Sequence, residues 1–94
     1  MSVAETFIDE TVDANGESTS WVKLEDGTFS LSISGTFTGT VALQRTRNTS
    51  DQSPVTIDYY TSAIEATDIT NGGWYYRGLV TAWTSGEARI QLGQ

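Results

Sequence analysis

Asp9, Glu10, Asp13 and Glu17 crowd the first part of the chain, and carboxylate oxygens are what a hard cation such as calcium takes, about six to eight at a time. Their spacing matches no EF-hand loop and no glycine stands at the required place, so they read as a solvated acidic segment and no metal site is assigned. Asp51 with Asp58, and Asp26 with Glu65, are the candidate carboxylate pairs for glycoside hydrolysis, a chemistry that needs them about 5–10 Å apart across a cleft. A domain this small has little room for the pocket an enzyme uses. No catalytic residue, enzymatic activity or cofactor is therefore expected.

The aromatic side chains are the stronger signal. Trp21, Trp74, Trp83, Tyr59, Tyr60, Tyr75 and Tyr76 are a candidate sugar-stacking platform and equally the bulk from which a small core is built, since each large aromatic buries about 150–250 Å². Tyr75 and Trp83 fall on the face opposite the expected core face of their strand, and an exposed aromatic pair there forms an apolar patch of the kind that marks a binding surface. Arg45, Arg47, Arg77 and Arg89 fall at or near strands. In an acidic chain they are expected to pair with carboxylates across an interface, where arginine is enriched. Asn48-Thr49-Ser50 fits the glycosylation pattern, but with no secretion signal expected the match reads as accidental.

The elements that position these residues follow from period-two alternation, which a half-buried strand uses and a helix cannot. In Phe29 to Arg45 (FSLSISGTFTGTVALQR), Phe29, Leu31 and Ile33 alternate with serines; Gly35 to Gly39 intervene, and Val41 and Leu43 resume the alternation. This is a strand, a connection and a strand. Trp21 to Leu24 is a short extended piece ended by the hairpin signal Glu25-Asp26-Gly27. Thr46 to Ser53 is a polar loop, and Pro54 admits a strand over Val55 to Tyr60. Ile64, Ala66 and Ile69 mark another strand, ended by the turn signal Asn71-Gly72-Gly73. In Trp74 to Trp83, Trp74, Tyr76, Gly78, Val80 and Ala82 share one face; Tyr75, Arg77, Leu79, Thr81 and Trp83 share the other. Thr84-Ser85-Gly86 turns the chain into a last strand with Ala88, Ile90 and Leu92. Residues 1–19 are the least patterned, with Phe7, Ile8 and Val12 as apolar candidates, and read as an edge strand or an arm. The sum is an all-β fold, a single small antiparallel β-sandwich of about seven or eight strands, with residues 1–19 as arm or edge strand and 20–94 as the domain.

Composition narrows the function classes. The chain has 94 residues, no cysteine and no histidine, which removes disulfides, thiolate chemistry and the commonest general base and metal ligand together. Five basic against twelve acidic residues give a net charge of −7, which repels a phosphate backbone, so nucleic acid is not an expected partner. The segment MSVAETFIDE has neither a basic n-region nor an apolar h-region, and no run is long and apolar enough for a membrane helix. Synthesis without a secretion signal and no membrane partner are expected.

Tyr75 to Ala82 followed by Thr84-Ser85-Gly86-Glu87 resembles the penultimate strand of fibronectin type III and immunoglobulin-like domains, without the tryptophan-and-proline framework of the early fibronectin strands. A broader likeness runs through SISGTFTGTVALQRTR (32–47) and WYYRGLVTAWTSGEARIQLGQ (74–94), which resemble segments that bracket a short β-sandwich in small virion proteins of tailed bacteriophages. That resemblance implies a capsid decoration (cement) protein that bridges major capsid protein subunits as a homo-oligomer, a trimer in the favoured case, located on the virion surface, with an N-terminal arm reaching toward a neighbour. The partner contacts it implies here are Phe7, Ile8 and Val12 of the arm and Tyr75, Arg77 and Trp83 of the aromatic face. The alternatives are a tail-associated carbohydrate- or receptor-binding module using Tyr59, Tyr75 and Trp83, and a tail or head–tail adaptor component.

Overall fold

A computed structural model describes residues 7–50 and 54–94. It is all-β with no helix among these residues, and its strands are β1 (Phe7–Val12), β2 (Val22–Ser34), β3 (Phe37–Thr46), β4 (Val55–Tyr60), β5 (Ile64–Gly86) and β6 (Ala88–Gly93). They form one antiparallel sheet in the order β1-β6-β2-β5-β3-β4.

Two expected turns are not turns. Glu25-Asp26-Gly27 lies within β2 and Asn71-Gly72-Gly73 lies within β5, so four expected strands become two long ones. The two turn signals stand opposite each other: Leu24 pairs with Trp74 and Asp26 with Asn71, with a register shift between them. A turn residue supplies local backbone freedom, and whether that freedom reverses the chain or only bends it depends on what lies alongside. Here two strands bend together and keep their pairing. Gly72 and Gly73 have φ of +77° and +74°, a region that only glycine enters at little cost. Glu25, displaced from the ladder by the shift, has its N–H and C=O satisfied by the side-chain amide of Gln94 at 2.9 and 2.7 Å. Buried or bent backbone needs such partners.

The bend folds the β2–β5 ribbon over its own apolar face. Gly78 lies in the second half of β5 while Ile90 of β6 pairs with Ile33 at the far end of β2, yet a side chain at Gly78 would come within 3.1 Å of Ile90 Cδ1 and 3.5 Å of Val41 Cγ1. The core fills the space between the halves: Val22, Leu24, Phe29, Leu31 and Ile33 from β2, Val41 and Leu43 from β3, Tyr76 and Val80 from β5, and Ala88, Ile90 and Leu92 from β6. These are the apolar positions of the alternation. A bridge across the bend joins Tyr76 to Thr70, the phenol donating to the threonine hydroxyl at 3.0 Å.

One side of this folded ribbon is closed. β1 pairs with β6 from Phe7↔Gly93 to Val12↔Ala88, the chain turns at Asp13–Gly16, and the next residues run along β5. Gly16 and Thr19 N–H groups donate to the Val80 and Gly78 carbonyls, Val80 N–H donates to the Glu17 carbonyl at 2.8 Å, and the Thr19 hydroxyl accepts from Gly78 N–H at 3.0 Å. The second half of β5 therefore has partners on both edges, β3 on one and residues 16–24 on the other.

Candidate functional site

The β3–β5 register, with Gln44 opposite Arg77 and Arg45 opposite Tyr76, sorts two arginines onto opposite faces, because residues directly opposite in an antiparallel pair share a face. On the outer face Arg77 lies over the Trp21 ring, with Cζ 4.4 Å from the centroid, and its Nε donates to Gln44 Oε1 at 3.1 Å. Gln44 Nε2 in turn donates to the Thr56 hydroxyl at 3.3 Å. The result is a ladder of side chains across residues leading into β2, then β5, β3 and β4. Burial pushes the Arg77 guanidinium below its ordinary value, while arginine keeps its charge at any physiological pH. Half-buried Tyr75 and Leu79 flank it on the same strand.

On the inner face, beside the bend, Arg45 lies over Trp74 with Cζ 4.2 Å from the ring centroid, and exposed Arg47, just past the end of β3, lies over the same ring at 4.1 Å. Arg45 Nε is buried with no hydrogen-bond partner, so the aromatic face is what offsets that charge. The expected carboxylate pairing holds for Arg89, whose Nε and NH2 reach the two Asp9 oxygens at 2.8 and 2.6 Å. That is the one ion pair among the described residues. An acidic chain thus concentrates its unpaired positive charge on tryptophan rings at the β3–β5 crossing.

No match to this chain is found among protein-family models, curated proteins or solved structures.

The expected contact residues separate. Tyr75 and Arg77 share the outer face. Trp83 does not join them: β3–β5 pairing shifts register between Thr40 and Val41, where Ala82 and Val80 are the respective partners, and the extra residue Thr81 exchanges the faces. Trp83 is carried to the core side, where it stacks on Phe37 at 5.3 Å with the rings 6° apart. Phe37, two residues before Gly39 on β3, lies on that same side, and the second shift, between Thr38 and Gly39, leaves Thr84 of β5 as the extra residue. In β1, Ile8 and Val12 turn into the core at 8% and 2% exposure while Phe7 stays open at 42%. Tyr59, on the outer side of β4, is exposed.

The proposed carboxylate constellations do not assemble. Asp26 lies opposite Asn71 and Glu65 opposite Ser32, six residues further along β2 or about 20 Å at strand spacing, and Glu65 accepts the Ser32 hydroxyl instead. Asp51 lies outside the described residues. In the acidic segment Asp9 is taken by Arg89, Glu10 accepts from Ser20 N–H at 3.0 Å and Glu17 from Asp13 N–H at 2.8 Å. No group of three metal-ligating side chains occurs among the described residues.

Gln44 carries no role in the sequence reading, and Trp21 and Trp74 appear there only among the aromatic candidates, without their arginine partners. Their roles depend on which strands pair and in what register, which one-strand alternation does not contain.

Proposed function

We propose that the protein is a non-enzymatic virion structural protein, a capsid decoration protein that bridges neighbouring major-capsid subunits and engages them through the outer face around Trp21, Tyr75 and Arg77. The finer form of the fold belongs to the same reading: with β2 and β5 each bent once, the sheet acts as a small immunoglobulin-like sandwich, stiff enough to present that face. The observation that carries the proposal is the Trp21–Arg77–Gln44–Thr56 ladder. A long cationic side chain on an exposed sheet normally loses rotamer freedom on binding, at about 0.5–1.5 kcal/mol. Arg77 is already held at both sides in the free protein, so docking there costs less. Tryptophan, tyrosine and arginine are also the residues that dominate binding energy at protein interfaces. The likeness of residues 32–47 and 74–94 to small phage virion proteins supplies the class of partner, and a trimer would add avidity by engaging several patches at once.

Cosedimentation with shells assembled from the major capsid protein of the same phage tests the proposal. Saturable binding is expected, with Arg77→Ala weakening it by about tenfold or more, as for an interface anchor. A glycan array is expected to be blank. Shell binding untouched by both Arg77→Ala and Trp21→Ala would remove the face from the mechanism, and glycan binding with no shell binding would move the protein to the tail-associated carbohydrate-binding reading.

A further inference from the structure

The other side of the folded ribbon is open. β4 uses one edge for β3, and Ile64–Thr70 of β5 uses one edge for β2; although only residues 61–63 separate β4 from β5, the two free edges do not pair. Between them lies a groove of about 240 Å³ whose floor is the core itself, Phe29, Leu31 and Leu43, and whose walls are β4 and Ala66–Asp68. That volume is below the roughly 300–1,000 Å³ of small-molecule sites and suits one long side chain.

The mouth of the groove is acidic from both walls. Asp58 stands opposite inward-facing Leu43 and Asp68 opposite inward-facing Phe29, so both carboxylates lie on the core side of their strands. Each Oδ1 accepts the next amide of its own free edge, Tyr59 N–H and Ile69 N–H, both at 2.8 Å. Neither carboxylate has a Lys or Arg partner among the described residues. Tyr60, also lining the groove, has its phenol pushed up by burial and then by the charges of Asp58 and Asp68, which places both negative fields on one point.

We propose that this groove docks an extended segment of a partner protein through a lysine or arginine whose aliphatic stem lies on Phe29, Leu31 and Leu43 and whose cationic end sits between Asp58 and Asp68. An apolar trough with a doubly acidic mouth complements a basic side chain along its whole length, stem and head. Apart from the Tyr59 and Ile69 amides, which the two carboxylates occupy, the free edges on both walls offer backbone groups to an extended chain, the usual mode of strand addition. A second copy of this chain, at net charge −7, is electrostatically disfavoured as the occupant. The site lies apart from the Trp21–Arg77 face and does not depend on it.

The test is titration of the isotopically labelled protein with a blocked hexapeptide of alternating valine and lysine, read by amide chemical shifts. Shifts confined to the β4 wall around Asp58–Tyr60 and to Ala66–Ile69 are expected, with alternating valine–glutamate peptide failing to bind. In the double variant Asp58→Asn, Asp68→Asn, whose side-chain carbonyls can still accept the edge amides, affinity is expected to drop about tenfold or more as one charge partner is removed. The proposal is overturned by absence of shifts at millimolar peptide, by equal binding of a glycine–lysine peptide, which would report only net charge, or by shifts centred elsewhere. Should the double variant fail to fold, the lysine-against-glutamate comparison on the native protein decides alone.

Discussion

The two halves of β5 are one strand by sequence and two environments by structure. From Tyr75 to Val80 the strand is paired along both edges, by β3 and by residues 16–24, and it carries the central core residues and the Arg77 ladder. From Ile64 to Thr70 it is paired on one edge only among the described residues, leaves Ile69 72% exposed and has Asp68 tending its free edge. At Ile69 an edge amide that no neighbouring strand takes is answered locally by the Asp68 carboxylate. The difference teaches that edge occupancy, more than residue type, decides whether a β residue here serves the core or the surface.

The largest effect should come from attacking the doubly paired half. Leu24 packs opposite Trp74 and is fully buried, so Leu24→Ala should lower unfolding free energy by about 2–5 kcal/mol, whereas Ile69→Thr in the open half should stay within about 0.5 kcal/mol. Urea titrations of both variants check the contrast, and equal losses would abolish it. Next is the hinge between the halves. Gly72 has φ +77° and a Cβ there would come within 2.9 Å of Asp26 N, so Gly72→Ala should cost about 1–3 kcal/mol by forcing a side chain into that region. Unchanged stability would mean that the bend does not need glycine.

The bridge across the hinge comes third. Tyr76→Phe removes the buried hydrogen bond to Thr70 while Thr70 keeps its contact with Gly72 N–H at 3.4 Å, so the loss should be about 1 kcal/mol, seen as a lower urea midpoint. The smallest effect lies on the exposed outer side of β1–β6. Arg89 holds the Asp9 carboxyl below its usual value, chiefly by hydrogen bonding. A carboxylate whose folded-state pKa is depressed contributes stability above its unfolded pKa, near about 4, and loses it as pH falls through the folded value. Native protein should therefore exceed Asp9→Asn slightly at neutral pH and match it in strong acid. A difference that persists undiminished in acid would rule out the ion pair as its source.

Much of the fold was legible because alternation is local. Phe29, Leu31, Ile33, Val41, Leu43, Tyr76, Val80, Ala88, Ile90 and Leu92 announce their buried face by period two, and each is buried. The candidate site was legible only in part. Tyr75 and Arg77 fall on the outer face as alternation says, but Trp83 sits beyond a bulge that no local pattern marks, and one extra residue exchanges the faces. The partners of Arg77 and of Trp74 come from other strands, and the acidic mouth joins Asp58 to Asp68 across an unpaired seam.

The amino-acid sequence by itself determined that the chain is all-β, where most of its extended segments lie and which side chains of the regular alternation face inward, because each of these rests on neighbours within a few residues. Tertiary structure decided that two glycine-bearing turn signals bend paired strands instead of reversing them, which arginine meets which tryptophan, and which edges remain open. Those outcomes depend on register between distant segments, where a single-residue shift reassigns every face, and only the folded chain sets it.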